Sequence, residues 1–231
     1  MKAIRAAVTA MVVVCGLMAQ GAQAGVSLGQ TRLVYPQSAG DKTIMLRNSG
    51  DTVYLVQAAV TDWATNQPEK AFTVLPPLFR LEGNSSSALR VTRTGGDFPQ
   101  DRESVFHFRV NAIPASKTPG ADSGASLAIS LGMSIKLFYR PEGLPVSPAE
   151  AYGRLTFHRQ GSEVVVSNPT PYYLTFAQLS FGGAPVNLDK SPAMVAPFGE
   201  QRYPSASGDR AEWAVITDFG SNSDTFHAAV K

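Results

Sequence analysis

The chain has 231 residues, of which 20 are Lys or Arg, 18 are Asp or Glu and one, Cys15, is a cysteine. A formal net charge of +2 argues against the basic surface that binding to nucleic acid requires. With one cysteine no disulfide can form within the chain, so hydrophobic cores have to stabilise the fold. This length is enough for one large domain or two small ones.

Residues 1–24 have the composition of a secretory signal peptide. Two basic residues open the segment, an apolar run follows, and Ala22-Gln23-Ala24 supplies small residues for cleavage. The apolar run is shorter than the roughly 20 residues of a membrane span, so membrane insertion is not expected. We therefore expect an exported mature chain that begins at Gly25 and contains no cysteine.

From Thr31 onward, short alternations of apolar and polar residues are broken by turn-forming residues. Such a period of two is typical of strands, whose successive side chains point to opposite faces. Seven short strands with turns between them predict an immunoglobulin-like β-sandwich. The predicted strands are Thr31–Tyr35, Lys42–Asn48, Val53–Val60, Phe72–Leu75, Leu78–Leu81, Ser87–Arg93 and Glu103–Ile113.

The stretch Leu127–Arg140 is predicted to be an unusually long strand. Apolar residues occupy every second position from Leu127 to Leu137, with small or polar residues between them. Most strands have about 3–10 residues, and a loop rich in Pro, Ser and Gly precedes this one. Two interpretations remain open: a core strand of the sandwich, which the periodicity alone favours, or a strand whose apolar row is offered to another protein.

A second, smaller β-domain is predicted after a Pro- and Gly-rich elbow at 142–146. The first domain then covers 25–141 and the second 147–231, and neither contains a convincing helical pattern. The strands predicted in the second domain are Gly153–His158, Glu163–Asn168, Tyr172–Phe181, Met194–Ala196, Trp213–Asp218 and Thr225–Val230.

Signals for catalysis are weak throughout the chain. Gly25–Gly29 matches the G-x-S-x-G pattern of a nucleophile, but it opens the mature chain instead of following a strand. The three histidines, His107, His158 and His227, lack the spacing of metal ligands. We therefore expect no enzyme, no metal and no cofactor.

Two basic residues interrupt predicted apolar strands. Arg32 follows Thr31 in the first strand, and Lys136 lies between Ile135 and Leu137 in the long one. A charge in such a strand is costly unless it is solvated or paired. One interpretation is that the two cations bind a carboxylate together. The other is that each extends to solvent or pairs with a nearby acidic residue.

Taken together, these residues resemble the periplasmic pilus-assembly chaperones of the chaperone–usher pathway. The order and spacing of the matching runs make the resemblance specific, and it extends over nearly the whole mature chain. The runs are Thr31–Tyr35, Tyr54–Gln57, Pro76–Leu81, Asp101–Phe106, Asn111–Pro114, Ile135–Pro141, Asn168–Tyr173 and Thr217–Gly220.

The resemblance implies two immunoglobulin-like sandwiches in a boomerang arrangement, located in the periplasm. It implies that the protein binds pilus or fimbrial subunits by donating a strand, and delivers them to an outer-membrane usher. The short loop before the long strand favours the short-loop subclass. The implied site residues are Arg32 and Lys136 for the carboxylate of the subunit, Leu127, Ile129, Leu131 and Met133 for the donated strand, and Glu103, Arg140 and Asp218 for salt bridges between the domains.

Other classes of secreted two-domain protein are compatible with the strand pattern. A structural adhesin or carbohydrate-binding module would need exposed aromatic platforms, whereas Trp63 and Trp213 lie in strand-like apolar contexts. A hydrolase is a further alternative. The sequence also leaves open whether the free protein covers its own strand by forming a dimer.

Overall fold

The computed structural model describes residues 25–115, 129–205 and 208–231, and nearly all of its regular structure is β-strand. The strands form two sandwiches, one in each half of the chain. The predicted signal peptide and Leu127 lie outside the described residues. The prediction of an all-β, two-domain chain is confirmed.

The N-terminal domain packs a four-stranded sheet, ordered β1-β3-β7-β5, against a five-stranded sheet, ordered β2-β9-β8-β4-β6. Apolar side chains that alternate along these strands meet between the sheets, with Leu46, Leu89 and Phe108 completely buried. The strands are β1 Val26–Leu28, β2 Arg32–Pro36, β3 Lys42–Asn48, β4 Tyr54–Asp62, β5 Phe72–Leu75, β6 Leu78–Leu81, β7 Ser86–Arg93, β8 Ser104–Pro114 and β9 Leu131–Arg140.

The chain changes sheets between β1 and β2. β1 pairs antiparallel with β3, and after three residues the chain continues as β2, which pairs parallel with β9. The pairing of β2 covers only the second half of β9, from Lys136 to Arg140. The residue at which β2 begins therefore determines how much of the edge of β9 remains unpaired.

The C-terminal domain packs a three-stranded sheet, β10-β11-β15, against a sheet ordered β13-β12-β16-β17, in which β14 also pairs with β12. Its core is centred on the buried Trp213, with Phe157, Phe181 and Tyr203 around it. The strands are β10 Thr156–Gln160, β11 Glu163–Ser167, β12 Leu174–Phe181, β13 Ala184–Pro185, β14 Met194–Val195, β15 Glu200–Pro204, β16 Arg210–Val215 and β17 Phe226–Ala229.

One short helix, α1 (Pro148–Ala151), opens the C-terminal domain. Ser147 caps it: the side chain of Ser147 accepts from the amide of Glu150, and the carboxylate of Glu150 accepts from the amide of Ser147. The sequence pattern did not predict this helix, because a single turn is too short to show a helical period. Among the described residues, no helix has the length and apolar character needed to cross a membrane.

Most predicted strands are confirmed to within a few residues, but the long strand begins later than expected. β9 starts at Leu131, so the prediction that Ile129 and Ser130 belong to it is wrong. Leu131 pairs with Ala112 on β8, and continuing that register would place Ile129 opposite Pro114. Proline has no N–H to donate, so the ladder ends before it reaches Ile129.

The buried side chain of Asn168 organises the start of the second domain. Its amide donates to the carbonyls of Tyr172 (2.7 Å) and Ala196 (2.9 Å), and its oxygen accepts from the backbone N–H (3.0 Å) and hydroxyl (2.7 Å) of Thr170. These bonds fix the loop between β11 and β12, and this loop contacts the other domain.

We predict that Asn168→Ala lowers the free energy of unfolding by about 2–4 kcal/mol, since it leaves several buried polar groups without partners at about 1–3 kcal/mol each. Chemical denaturation measures this difference. Asn187→Ala is the matched control, because Asn187 accepts one bond from Asp189 at the surface and should change stability little. Equal stability of the two variants would contradict the role given to Asn168.

Candidate functional site

Arg32 and Lys136 lie side by side on neighbouring strands. They face each other in the parallel register of β2 and β9, and neighbouring strands are only about 4.8 Å apart. Both side chains project from the face of the sheet opposite to the core residues Leu33 and Leu137. The structure thus brings together two residues that are about a hundred positions apart in sequence.

The same pair marks the end of a free strand edge. The residues from Lys136 to Tyr139 have β8 on one side and β2 on the other, whereas Leu131–Ile135 pair only with β8 among the described residues. The outer backbone groups of that five-residue stretch are therefore available for pairing with another chain. Arg32 lies where this free edge stops.

The apolar row of β9 becomes more exposed along the free edge. Leu137 is completely buried. Leu131, Met133 and Ile135 are half-buried and pack against the rim of the N-terminal core, and Ile129 beyond them is 65% exposed. The core therefore covers the apolar row at Leu137 but not at Ile129, where apolar surface remains exposed to solvent.

Arg32 is held rigidly by the C-terminal domain. Its Nη1 donates to the carbonyl of Ile216 at 2.8 Å, while its Nε is buried and has no partner among the described residues. The turn after Ile216 packs closely on Thr31, because Gly220, at φ +84°, has no Cβ. Burial lowers the pKa of the Arg32 guanidinium, although the charge of Asp218 opposes this.

Lys136 is half-buried and lacks a carboxylate partner within the described part of the chain. Its ammonium nitrogen lies 3.4 Å from the hydroxyl of Thr175 and 5.9 Å from the ring centre of Trp63. Burial, followed by the positive charge of Arg32, lowers the pKa of Lys136 to about 8. The two cations therefore form a positively charged site in which neither has an ion-pair partner among the described residues.

Arg140 takes both carboxylates that lie close to this site. Its Nε donates to Glu103 at 2.8 Å, and its two terminal nitrogens donate to Asp218 at 2.6 and 2.8 Å. Glu103 is 3% exposed and also accepts from the amide of Tyr173 at 2.8 Å. Glu103 lies in the first domain and Asp218 in the second, so the three residues predicted to join the domains are in contact.

The electrostatics of this cluster follow from burial. Burial raises the pKa of Glu103 to about 7, against the opposing effects of Arg140 and of the amide of Tyr173. Burial lowers the pKa of Arg140, but the hydrogen bonds and charges of Asp218 and Glu103 outweigh it, so the pKa of Arg140 is raised overall. The arginine therefore remains charged and holds the two carboxylates in place.

The sequence did not predict that three further residues, His107, Trp63 and Thr175, lie around Lys136. His107 lies opposite Lys136 in the antiparallel register of β8 and β9, its ring stacks on Trp63 with centres 4.3 Å apart, and its Nδ1 lies 3.2 Å from the hydroxyl of Ser134. Thr175, from the other domain, is the third neighbour. Only the fold brings these residues together, and Trp63 looked like an ordinary strand residue in the sequence.

Comparison with protein families decides the class of the molecule. The family model described as "Pili and flagellar-assembly chaperone, PapD N-terminal domain" matches residues 25–145, and "Pili assembly chaperone PapD, C-terminal domain" matches residues 150–227. The chain belongs to the PapD-like pili assembly chaperones. The resemblance seen in the sequence is therefore confirmed.

Relatives of this chaperone with similar sequences share most of its length. It is 34% identical to the chaperone protein MyfB of Yersinia enterocolitica, with 89% of this chain and 84% of the relative covered. It is 36% identical to the chaperone protein FimC of Escherichia coli strain K12, with the same coverage of each chain. These alignments include both domains.

Solved structures confirm the two immunoglobulin-like sandwiches. The chaperone DraB of Escherichia coli superposes with a TM-score of 0.80 at 38% identity, covering 89% of this chain and 96% of the other. A chain from the complex of the Salmonella enterica SafA pilin with the SafB chaperone gives a TM-score of 0.81 at 35% identity, with coverage of 91% and 98%.

We predict that Arg140→Ala destabilises the chaperone by about 3–5 kcal/mol, because the change leaves the buried carboxylate of Glu103 without its cation. Thermal unfolding at neutral pH measures the difference. Arg102→Ala is the matched control: Arg102 pairs with Asp101 at the surface, and such pairs contribute only about 0–1 kcal/mol. A wild-type melting temperature for Arg140→Ala would show that the cluster does not stabilise the fold.

Proposed function

We propose that this chaperone captures pilus subunits by pairing their C-terminal strand with the free edge of β9. The observation that carries the proposal is the position of Arg32 and Lys136 at the point where the free edge ends, where neither cation has an ion-pair partner in the described ranges. A strand that occupies this edge finishes against a positive charge. A free C-terminal carboxylate is the group that satisfies it.

The position of the two cations also fixes the direction of the captured strand. A chain whose last residue meets Lys136 and whose earlier residues pair along Leu131–Ile135 has to run parallel to β9. It then continues the line of β2, which pairs with β9 in the same direction. Charged hydrogen bonds to the terminal carboxylate contribute about 1.5–3 kcal/mol each and set the register of the pairing.

The apolar row of β9 supplies the second part of the proposed interaction. We propose that Leu127, Ile129, Leu131 and Met133 fill a groove in a subunit that lacks one strand of its own sandwich. In strand addition of this kind, backbone hydrogen bonds provide affinity, and pockets that accept every second side chain provide specificity. The exposure of Ile129 and the half-burial of Leu131 and Met133 in the free protein support this role.

We further propose that the salt bridges of Glu103, Arg140 and Asp218 fix the angle between the domains. In this proposal the domains cover 25–141 and 147–231, with an elbow at 142–146 between them. Contacts across the elbow support it, including the bond from the amide of Glu103 to the carbonyl of Pro171 at 2.9 Å and the packing of Phe138 against Tyr173.

The proposed setting is the periplasm, where the chaperone binds its subunit and passes it to an outer-membrane usher. A structure titled as the periplasmic chaperone SfaE, 33% identical over 90% of this chain, supports this location, and the SafA–SafB complex supports a pilin as the partner. The role is binding and not catalysis. Release would follow when a better-fitting segment of another subunit replaces β9.

We predict that Ile129→Ser keeps the melting temperature of the wild type but weakens subunit capture about tenfold to a hundredfold. Ile129 is 65% exposed, and burying such a side chain on binding contributes about 1.5–3 kcal/mol. Leu137→Ser is the matched control: Leu137 belongs to the same apolar row but is completely buried, so this change should lower stability by about 2–5 kcal/mol. Co-purification of subunits and thermal unfolding separate the two effects.

The opposite pattern would overturn the role proposed for β9. If Ile129→Ser unfolded the chaperone while its folded fraction still bound subunits, the row would be an ordinary part of the core.

The lowered pKa of Lys136 predicts opposite effects on stability and on binding. The folded protein holds this proton less tightly than the unfolded chain, so the ammonium opposes folding below pH about 8, and this cost disappears as pH rises toward the ordinary lysine pKa of about 10.4. We expect Lys136→Met to raise the free energy of unfolding at neutral pH by about 1 kcal/mol, allowing for partial solvent exposure, and to abolish capture.

Subunit capture by the wild type should weaken as pH rises through about 8, because the free chaperone loses the charge that binds the carboxylate. Lys42→Met, at a half-buried lysine on β3, is the control and should keep both capture and its pH profile. If Lys136→Met bound subunits normally, or failed to fold, the proposed anchor would be wrong.

A further inference from the structure

The amine of Lys136 differs in its surroundings from a lysine on an open surface. It lies next to Arg32 across the strand pair, its nitrogen is 3.4 Å from the hydroxyl of Thr175, and it lies over the ring of Trp63. No acidic side chain in the described ranges forms an ion pair with Lys136 or with Arg32. A half-buried amine, a hydroxyl and a fixed guanidinium thus share one small region.

We propose that Lys136 is a covalent site for small aldehydes and ketones that carry a carboxylate or phosphate group. In this proposal the amine captures the carbonyl carbon as a Schiff base while Arg32 holds the anionic group. The site uses the two cations of the proposed subunit anchor, but the reaction requires only the free chaperone.

The chemistry needs no oxidant, reductant or further reactant. The neutral amine of Lys136 attacks the carbonyl carbon, and a proton moves from nitrogen to the carbonyl oxygen to give a carbinolamine. The hydroxyl group then takes up the remaining proton of the nitrogen and leaves as water while a carbon–nitrogen double bond forms. The hydroxyl of Thr175 lies close enough to the nitrogen to pass these protons, so amine and aldehyde become imine and one molecule of water.

Three features of the site favour this reaction at Lys136. Burial and the charge of Arg32 lower the pKa of the amine to about 8, so a substantial part of it is neutral and nucleophilic near neutral pH. Nη1 of Arg32 donates to Ile216 and Nε is buried, so Nη2 is the guanidinium donor left to bind a carboxylate or phosphate oxygen. The imine, once protonated, keeps the positive charge of the lysine, so the bound anion still has two cationic neighbours.

The bound compound would occupy the place of the subunit carboxylate. Because the anion lies on Arg32 and the carbonyl carbon on Lys136, both groups of the proposed anchor are used at once. Small anionic carbonyl compounds would therefore compete with subunits, and the competition would be reversible because imines hydrolyse. This gives the free chaperone a ligand class that differs from its protein partner.

Pyridoxal 5′-phosphate is a suitable probe, because it carries an aldehyde and a phosphate on one ring. We would treat the free chaperone with it near neutral pH, reduce the imine with borohydride and locate the labelled lysines by peptide mass spectrometry. At a pKa of about 8 the neutral fraction is about a hundred times that of an ordinary lysine. The lower basicity of this amine reduces its nucleophilicity by a factor of about ten, so labelling about tenfold faster than at the exposed Lys70 and Lys190 is expected.

Three comparisons test the separate roles of the amine and the anion site. Lys136→Arg keeps the charge and should lose the selective label, and Arg32→Gln should reduce the selectivity. Pyridoxal without its phosphate should also label Lys136 less selectively. This comparison uses the wild-type protein, so it does not depend on whether a variant folds. Labelling of Lys136 should increase as pH rises through about 8. Equal labelling of Lys136, Lys70 and Lys190, or preference for Lys42, would overturn the proposal.

A purified complex with a subunit distinguishes this proposal from the proposed function. If the subunit carboxylate lies on Arg32 and Lys136, the complex should protect Lys136 from the label. Selective labelling of the free chaperone without protection in the complex would support the covalent site and contradict the subunit anchor. Unselective labelling together with pH-dependent capture would contradict the covalent site and support the subunit anchor.

Discussion

The parallel pairing of β2 with the second half of β9 is the constraint on which the rest of the site depends. It covers β9 from Lys136 onward and leaves the five residues before Lys136 with one neighbour. If β1 and β2 were one continuous strand in one sheet, either the whole edge of β9 would be free or none of it would. The change of sheet at residues 29–31 therefore leaves the free edge open and places Arg32 beside Lys136 at the end of that edge.

The charges around this pairing are distributed unequally. Arg140 bonds to both Glu103 and Asp218, whereas Arg32 and Lys136 have no ion-pair partner among the residues described. Because burial penalises an unpaired charge, the free protein has a locally unfavourable site, which the charge of Asp218 relieves only in part and an external anion would relieve further. The carboxylates that could have neutralised these cations serve instead to connect the two domains.

The sequence predicted the fold better than it predicted the surroundings of the site. Alternation of apolar residues located most strands, since burial of one face imposes a period of two, and the charges at Arg32 and Lys136 stood out against that pattern. The contacts of Lys136 with Thr175 and Trp63 could not be predicted, because they depend on how two domains and three strands pack. The late start of β9 depends on Pro114 of the neighbouring strand, so it is also a matter of register and not of local composition.

Glu103 connects the two domains through both its backbone and its side chain. Its amide donates to the carbonyl of Pro171, and its carboxylate accepts from the amide of Tyr173. The first bond joins two backbone groups and involves no side-chain rotamer, and the second uses a side chain that is buried, so together they restrict rotation of one domain against the other. If β9 captures a subunit as proposed, the chaperone would not need to close around it. The entropy of ordering the cleft would already be lost when the chaperone folds, and the captured strand would meet an anchor whose geometry is fixed in advance.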